Sequence, residues 1–327
     1  MSFTERYYED RDFHARSFYA NGRLVTPNFP VVSREWFVNA GSGAATDDDT
    51  GGNDQGDGRS WTTARRTMAA VFNDALFGSG DVVWVIGKVR EELSTPAGIH
   101  GVKIIGASTT RHPDAHTSNN GYVGSAWVPP ASPTAATALL NIRQQGWEVH
   151  NMLFDCPVDA AAIKLTRDAG AGDSERDASH ARIVNCRFAS GKVGIDNAGG
   201  ASFVHVRGCF FHLLTESGGA GIKCTSTSVA VPLSWVIEDN HFHNNASHIL
   251  SSVSYSTIRR NIFGRFTATL SIDIDDQPSA NQGEYNVITQ NYLSGTYGAT
   301  AYPPGSNNEW AGNNNVLSGG LTAADPA

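Results

Sequence analysis

The chain has 327 residues, of which 40% are hydrophobic and 17% are charged, and its formal net charge is −8. This acidic balance, with no run of Lys and Arg, argues against a surface that follows nucleic-acid phosphates. No apolar stretch approaches the roughly 18–20 residues of a membrane span, so no membrane contact is expected. The first residues lack the apolar core of a signal peptide, which predicts folding in a cytoplasm with four reduced cysteines.

Residues 1–35 predict a short extended arm. Its first thirty residues contain seven aromatic side chains, interleaved with four arginines and four acidic residues. A segment too short to fold alone, yet so aromatic, is expected to bury itself against something. It lies either along its own chain or against a larger particle or sister subunits. The aromatic residues are Phe3, Tyr7, Tyr8, Phe13, Phe18, Tyr19 and Phe29.

Residues 36–80 are predicted to form an entry loop and a capping helix, and they contain an acidic, glycine-rich loop, 46–58. Asp54 and Asp57 are its candidate calcium ligands. The loop departs from the EF-hand pattern, because Gln55 takes a ligand position and Ala64 stands where the bidentate Glu belongs. The open alternatives are a looser calcium loop and a flexible surface loop.

A helix is predicted over residues 62–77. Thr62 or Thr63 can cap it, and Gly78 follows its end. An amphipathic helix at this place is expected to cover the open end of the structure that follows. Its apolar stripe consists of Met68, Val71, Phe72, Ala75 and Leu76.

From residue 81 to 327 the chain predicts strands, beginning with the apolar runs 82–86 and 102–107. A short repeat follows. It consists of a β-branched residue, two variable positions, one residue that is Asn, Cys or Met, one variable position, and a last residue that is Phe or Leu. Its copies begin 34, 23, 31, 21 and 30 residues apart. The copies begin at Val149, Ile183, Val206, Ile237, Ile258 and Ile288.

A second anchor recurs 12 to 16 residues after the first in each copy. Short strands at a near-constant offset, with variable loops elsewhere, indicate the coils of a solenoid. Each strand then pairs with its equivalent one coil away, so that like residues stack. We expect Asn240, Asn261 and Asn291 at a corner, where Asn tolerates left-handed geometry and forms a ladder. Aliphatic and aromatic columns are predicted from Ile163, Ile195, Ile222 and Ile272 and from Phe154, Phe188, Phe211, Phe242 and Phe263.

Cys186 and Cys209 occupy that corner position in successive copies, and Cys224 matches Leu165. They are interpreted as small buried residues. A disulfide between Cys186 and Cys209 is the alternative.

Two groups are candidates for chemistry. Asp273 and Asp275 alternate with isoleucines, so they project together about 6.5–7 Å apart, near the separation in an inverting glycosidase. Their column also contains Lys164, Asp196 and Lys223, and such a charge ladder is the alternative.

His241 and His243 flank the inward Phe242 and point outward together. They could share a metal ion with Glu238 or Asp239, or be ordinary surface residues. No other cofactor is indicated.

The segment 51–107, with the coils after it, resembles the pectate-lyase-like right-handed parallel β-helix superfamily over about residues 36–320. The resemblance implies an all-β, right-handed parallel β-helix with an N-terminal capping helix. The superfamily includes polysaccharide lyases and hydrolases, phage tailspikes and non-enzymatic virion proteins, so the fold does not choose the activity. The lyases' catalytic Arg or Lys with clustered calcium-binding Asp is not identifiable here.

These features favour a structural or receptor-binding virion protein of a tailed bacteriophage, such as a head decoration, fibre or short tailspike. Its expected partners are two sister subunits in a homotrimer, other virion proteins bound through the arm, and cell-surface polysaccharide. The alternative is a polysaccharide-degrading enzyme on the same fold, either a depolymerase hydrolase or a lyase.

Overall fold

A computed structural model describes residues 19–20, 23–26, 29–41, 52–107, 124–167, 177–224, 232–264, 272–273, 284–293, 308–317 and 320–323. For Tyr19 and Asp273 it describes the strand and not the side chain. Tyr7, Tyr8, Phe13, Phe18 and Asp275 lie outside these ranges.

The chain winds in successive coils, and its strands form three parallel sheets. Each strand pairs with its equivalent in the next coil, as the repeat predicted. The strand Val82–Val89 joins two of these sheets, because its first half pairs with Lys103–Gly106 and its second half with Ser125–Trp127. The fold is thus a parallel β-solenoid, and its right-handed sense stays a prediction.

Sheet 1 contains Phe29–Asn39, Val82–Val89, Lys103–Gly106, Glu148–His150, Arg182–Val184, His205–Arg207, Val236–Glu238, Thr257–Arg259, Val287–Thr289 and Glu309–Ala311. Sheet 2 contains Ser125–Trp127, Leu153–Asp155, Arg187–Ala189, Phe210–His212, His241–His243, Ile262–Gly264, Tyr292–Leu293 and Asn314–Leu317, with Gly320–Ala323 antiparallel at its end. Sheet 3 contains Leu93–Ser94, Leu140–Ile142, Ala161–Leu165, Val193–Asn197, Ala220–Cys224, Ile249–Ser251 and Ile272–Asp273.

The predicted interior columns are present. In sheet 3 Ile163, Ile195 and Ile222 are direct neighbours in register, and Ile249 stands between Ile222 and Ile272. In sheet 2 five buried phenylalanines form a stack with ring centroids 4.7–5.1 Å apart. The stack consists of Phe154, Phe188, Phe211, Phe242 and Phe263.

The corner between sheets 1 and 2 contains the asparagine ladder. Oδ1 of Asn261 accepts the backbone N–H of Asn240 at 3.0 Å, and Asn291 does the same for Asn261. The left-handed residue is the one before each Asn, namely Asp239, Arg260 and Gln290, with φ of 54–58°. The prediction that the ladder asparagines themselves are left-handed was therefore wrong by one position. All four cysteines are buried free thiols, so Cys186 and Cys209 are not bridged.

The helix is much shorter than the 62–77 predicted. A 3₁₀ turn covers Trp61–Thr63, and the α-helix spans only Met68–Phe72. Asp54 accepts the N–H groups of Arg66 and Thr67, so residues before the helix are held by the loop instead. Phe72 packs edge-on against Trp147, whereas Leu76 is 54% exposed.

The predicted division at residues 35/36 falls within the strand Phe29–Asn39. This strand pairs in parallel with Val82–Val89, and Trp36 within it is fully buried. Arg23–Thr26 pairs antiparallel with it, and Tyr19–Ala20 pairs antiparallel with Arg23–Thr26. No helix in the described part of the chain is long and apolar enough to cross a bilayer.

Candidate functional site

The outward side chains of sheet 1 form two columns, because alternate residues of a strand point to the same face. The first column consists of Glu148, Arg182, His205, Val236, Thr257 and Val287. The second consists of His150, Val184, Arg207, Glu238, Arg259 and Thr289.

A groove of about 360 Å³ opens on this face. Glu148, Arg182 and His205 lie along it, and His180 and Phe203 form part of its wall. The groove therefore combines ionic and hydrogen-bonding groups with aromatic rings. We name it the sheet-1 groove.

Glu148 is ionised at neutral pH. The hydrogen bond from His150, whose Nε2 lies 2.8 Å from Oε2, lowers the pKa of Glu148, partly offset by burial, and Lys103 adds to the lowering. A carboxylate in this state accepts hydrogen bonds but has no proton to donate as a general acid.

Next to the groove, three arginines surround two carboxylates. Glu238 is buried and accepts hydrogen bonds from Arg259 Nε and Arg260 Nη2, both at 2.8 Å. Asp239 accepts from Arg260 Nε at 2.7 Å and lies 3.4 Å from Arg207 Nε. With three positive charges against two negative ones, the group is locally positive in a chain of net charge −8.

Glu238 and Asp239 keep their charges. Burial by itself raises the pKa of Glu238, but hydrogen bonds from Arg259 and His205 outweigh it and hold the pKa below its ordinary value. Hydrogen bonding from Arg260 lowers the pKa of Asp239. Both carboxylates are therefore engaged with arginines.

His241 and His243 point outward from sheet 2 beside Phe210 and His212. Their ring centroids are 6.2 Å apart, and His243 stacks on His212 at 5.1 Å. Burial, and then the neighbouring His243, lowers the pKa of His241. Within the described ranges no three His, Cys, Asp or Glu side chains are grouped so as to hold a metal ion.

Asp54 and Asp57 direct their oxygens at the segment between their loop and the helix. Asp54 accepts the N–H groups of Arg66 and Thr67, and Asp57 accepts the hydroxyl of Thr63 at 2.5 Å. That hydrogen bond lowers the pKa of Asp57. Both carboxylates thus order the turn before the helix.

Asp273 lies in sheet 3, on the side of the solenoid that carries Lys164, Asp196 and Lys223 in successive coils. Leu250 stands between Lys223 and Asp273, so the charged ladder is interrupted before Asp273. Asp275 lies outside the described residues, so the pairing of Asp273 with Asp275 stays a prediction.

Sequence reasoning missed a column of residues along the corner that precedes sheet 1. Each member lies two residues before a sheet-1 strand and is left-handed, with φ between 53° and 61°. The backbone N–H of each of the first four members donates to a carbonyl of the next coil. The column, which we name the corner column, consists of His180, Phe203, Ser234, Tyr255 and Tyr285. Aligning the residues two places before each strand would have revealed it.

Four of the five corner-column side chains are rings, and they stack in pairs. The centroids of His180 and Phe203 are 4.9 Å apart with planes 6° from parallel. Those of Tyr255 and Tyr285 are 5.0 Å apart at 13°. Phe203, Tyr255 and Tyr285 are 52%, 61% and 47% exposed, so both pairs present aromatic surface at this corner. The His180–Phe203 pair borders the groove.

No family model and no curated protein matches the chain. Among solved structures, an alginate lyase from Paenibacillus sp. str. FPU-7 is 14% identical, covers 76% of this chain and 93% of its own, and has a TM-score of 0.48. A rhamnogalacturonan lyase is 10% identical, with coverages of 85% and 87% and a TM-score of 0.41. The Dettilon tailspike protein is 11% identical, with coverages of 72% and 63% and a TM-score of 0.29. Each identity is below 25% and each TM-score is below 0.5, so these structures give no ground for assigning an activity to this chain.

Proposed function

We propose that the protein binds a polysaccharide in the sheet-1 groove and does not cleave it there. One observation carries this proposal: the stacked rings of His180 and Phe203 border the same groove as Glu148, Arg182 and His205. Sugar rings present apolar C–H faces and hydroxyl edges, and they need a site with both kinds of surface.

The arginines of sheet 1 favour a sugar that carries an anionic group placed away from the ionised Glu148. Arg182 is exposed beside the groove, and the arginine group around Glu238 and Asp239 has one positive charge in excess. Arginine recognises carboxylates and sulfates through paired hydrogen bonds. Electrostatic attraction of this kind should weaken as salt is added.

Cleavage of a glycosidic bond by paired carboxyl groups needs one that holds a proton near neutral pH. The hydrogen bond from His150 lowers the pKa of Glu148. Burial raises the pKa of Glu238, but the bonds from Arg259 and His205 outweigh it, so that the pKa is lowered as well. These two carboxylates of the sheet-1 face are therefore unsuited to the role of acid. Polysaccharide degradation, with Asp273 and Asp275 as the candidate pair, stays the alternative.

Binding can be measured by titrating the protein with polysaccharides purified from bacterial surfaces. Arg182→Ala should weaken binding about tenfold, the loss of one charged hydrogen bond. Lys164→Ala, on sheet 3 and outside the groove, is the matched control and should bind normally. Equal affinities for both variants and the unaltered protein would overturn the use of this groove. Shortened glycan after incubation would favour the enzymatic alternative, and its loss in Asp273→Asn with Asp275→Asn would identify the catalytic pair.

The cellular setting belongs to the same proposal: a virion protein of a tailed phage, assembled as a homotrimer and attached through its N-terminal arm. The aromatic composition of residues 1–18 supports this, because segments rich in aromatic side chains favour association. A truncated variant should retain the strand Phe29–Asn39 with its buried Trp36, since this strand belongs to sheet 1.

Deleting residues 1–18 tests attachment without removing a described strand. The full chain should have the mass of a trimer in solution and bind to phage particles, and the truncated chain should do neither. A full-length monomer would contradict the trimer. A truncated chain that still binds particles would contradict attachment through the arm.

A further inference from the structure

The corner column has a gap of one ring. His180 and Phe203 form one stacked pair and Tyr255 and Tyr285 the other, while Ser234 holds the position between them. The backbone hydrogen bonds between coils continue through this position. The N–H of Phe203 donates to the carbonyl oxygen of Leu233, and the N–H of Ser234 donates to that of Ser254. Phe203 and Tyr255 are therefore two coil steps apart, which is roughly 10 Å at the spacing of neighbouring strands.

The backbone does not require a serine at this place. Tyr255 and Tyr285 adopt φ values of 53° and 58°, and Ser234 has 57°. A tyrosine is thus accommodated twice in the same column and the same left-handed conformation. The small side chain leaves room where the neighbouring coils carry rings.

The gap opens into the sheet-1 groove. Ser234 and Phe203 both line that groove, together with Arg182 and His205. On the other side of Ser234, Tyr255 is 61% exposed. An occupant of the gap would therefore contact one ring on each side and polar groups along one edge.

We infer that the gap at Ser234 is a slot for a single pyranose ring, stacked between Phe203 and Tyr255. The inference rests on the proposed glycan-binding function and specifies how one sugar unit is held. A six-membered sugar ring has C–H faces that pack on aromatic rings and hydroxyl edges that need hydrogen bonds. Stacked rings in this column repeat at 4.9–5.0 Å, about half of the two-coil separation, so one ring fits between the two side chains. A sugar with at least one face free of axial hydroxyls suits the slot best.

Ser234→Tyr should fill the slot with the protein's own ring. The added ring would stack on both neighbours, so we expect a raised Tm without any ligand and at least tenfold weaker sugar binding. Ser190→Tyr is the matched control, because Ser190 is also left-handed, with φ of 61°, but lies outside the corner column. It should change neither quantity.

Saturation-transfer NMR with methyl β-D-glucopyranoside, methyl β-D-galactopyranoside and methyl α-D-mannopyranoside gives the ligand readout. The unaltered protein should transfer saturation to the C–H protons of at least one of these probes. Transfer should be lost in Ser234→Tyr, and affinity should fall about tenfold in Tyr255→Ala.

The outcomes separate the slot from the proposed function. Undiminished transfer in Ser234→Tyr, or the same Tm change in Ser234→Tyr and Ser190→Tyr, overturns the slot and leaves groove binding standing. Absence of transfer to any probe, with no polysaccharide bound in titration, overturns both.

Discussion

Nε2 of His205 lies 3.1 Å from Oε1 of Glu238, although the two residues are 33 positions apart in the chain. The contact joins the outward columns of sheet 1 in successive coils, beside the arginines of the neighbouring strands. Glu238 therefore stabilises the face on which the groove is built.

Glu238→Gln should lower the free energy of unfolding by roughly 1–2 kcal/mol at pH 7, because the arginines around it are partly exposed and screened. The pKa of Glu238 is lowered in the folded state from its ordinary value of 4.5. The stabilisation that ionised Glu238 gives the folded state is therefore complete above pH 4.5. It is lost as the pH falls through the pKa that Glu238 has in the folded state. Urea unfolding from about pH 7 to about pH 3 should show the difference from the unaltered protein shrinking on acidification. Glu309→Gln, exposed on the same sheet, is the control, and an equal effect there would contradict the role of Glu238.

Asn261→Ala should destabilise the solenoid by about 1–3 kcal/mol, because it leaves buried polar groups without partners. Asn261 Oδ1 accepts the backbone N–H of Asn240 at 3.0 Å, and its Nδ2 donates to the carbonyl of Ile237 at 3.0 Å. Thermal unfolding measures the effect. Asn314→Ala, which removes an exposed local hydrogen bond, should change Tm little. Comparable shifts in both variants would argue against the ladder as a source of stability.

Phe211→Ala should cost roughly 3–5 kcal/mol, since it opens a cavity in the middle of the phenylalanine stack. Its ring lies 4.8 Å from Phe188 and 4.7 Å from Phe242. Phe210→Ala changes the preceding residue, which points to the opposite face, and should cost under about 1 kcal/mol. Denaturant unfolding of both variants gives the comparison. If the two losses were equal, the inward stack would not be the main contributor at this coil.

Glu91 should make the protein less stable as the pH rises from 4.5 to about 7. Burial raises the pKa of Glu91 to about 7, although hydrogen bonds from the N–H groups of Ala69 and Met68 oppose this. A raised folded-state pKa gives stability that is complete below the ordinary value of 4.5 and is lost as the pH passes through about 7. Glu91→Gln keeps an acceptor for the helix and removes the titration.

The Glu91→Gln variant should be more stable than the unaltered chain at about pH 8, by on the order of 1–3 kcal/mol, and nearly equal to it at about pH 4. Urea unfolding at both pH values measures this difference. Glu92→Gln, at the neighbouring position, should leave the pH profile unchanged. A Glu91→Gln profile that follows the unaltered protein at every pH would show that Glu91 is not the titrating group.

The repeat determined most of the solenoid, because coil stacking depends on like residues at a regular offset. Phe188 and Ile195 could be placed in columns from spacing alone, and the register confirms both. The apolar stripe that predicted a helix over 62–77 did not determine its length. Asp54 and Glu91, from outside the helix, accept the N–H groups at its start, and no local pattern contains that contact.

The candidate site depended on the tertiary structure. Phe203 and Tyr255 are 52 residues apart in the sequence, and variable loops separate them. Only the register of successive coils places both in one column with Ser234 between them. The sequence by itself determined which residues point inward, since apolar burial follows a fixed period along each strand. Which outward residues contact one another depends on the tertiary structure, because those contacts are set by how the whole chain winds.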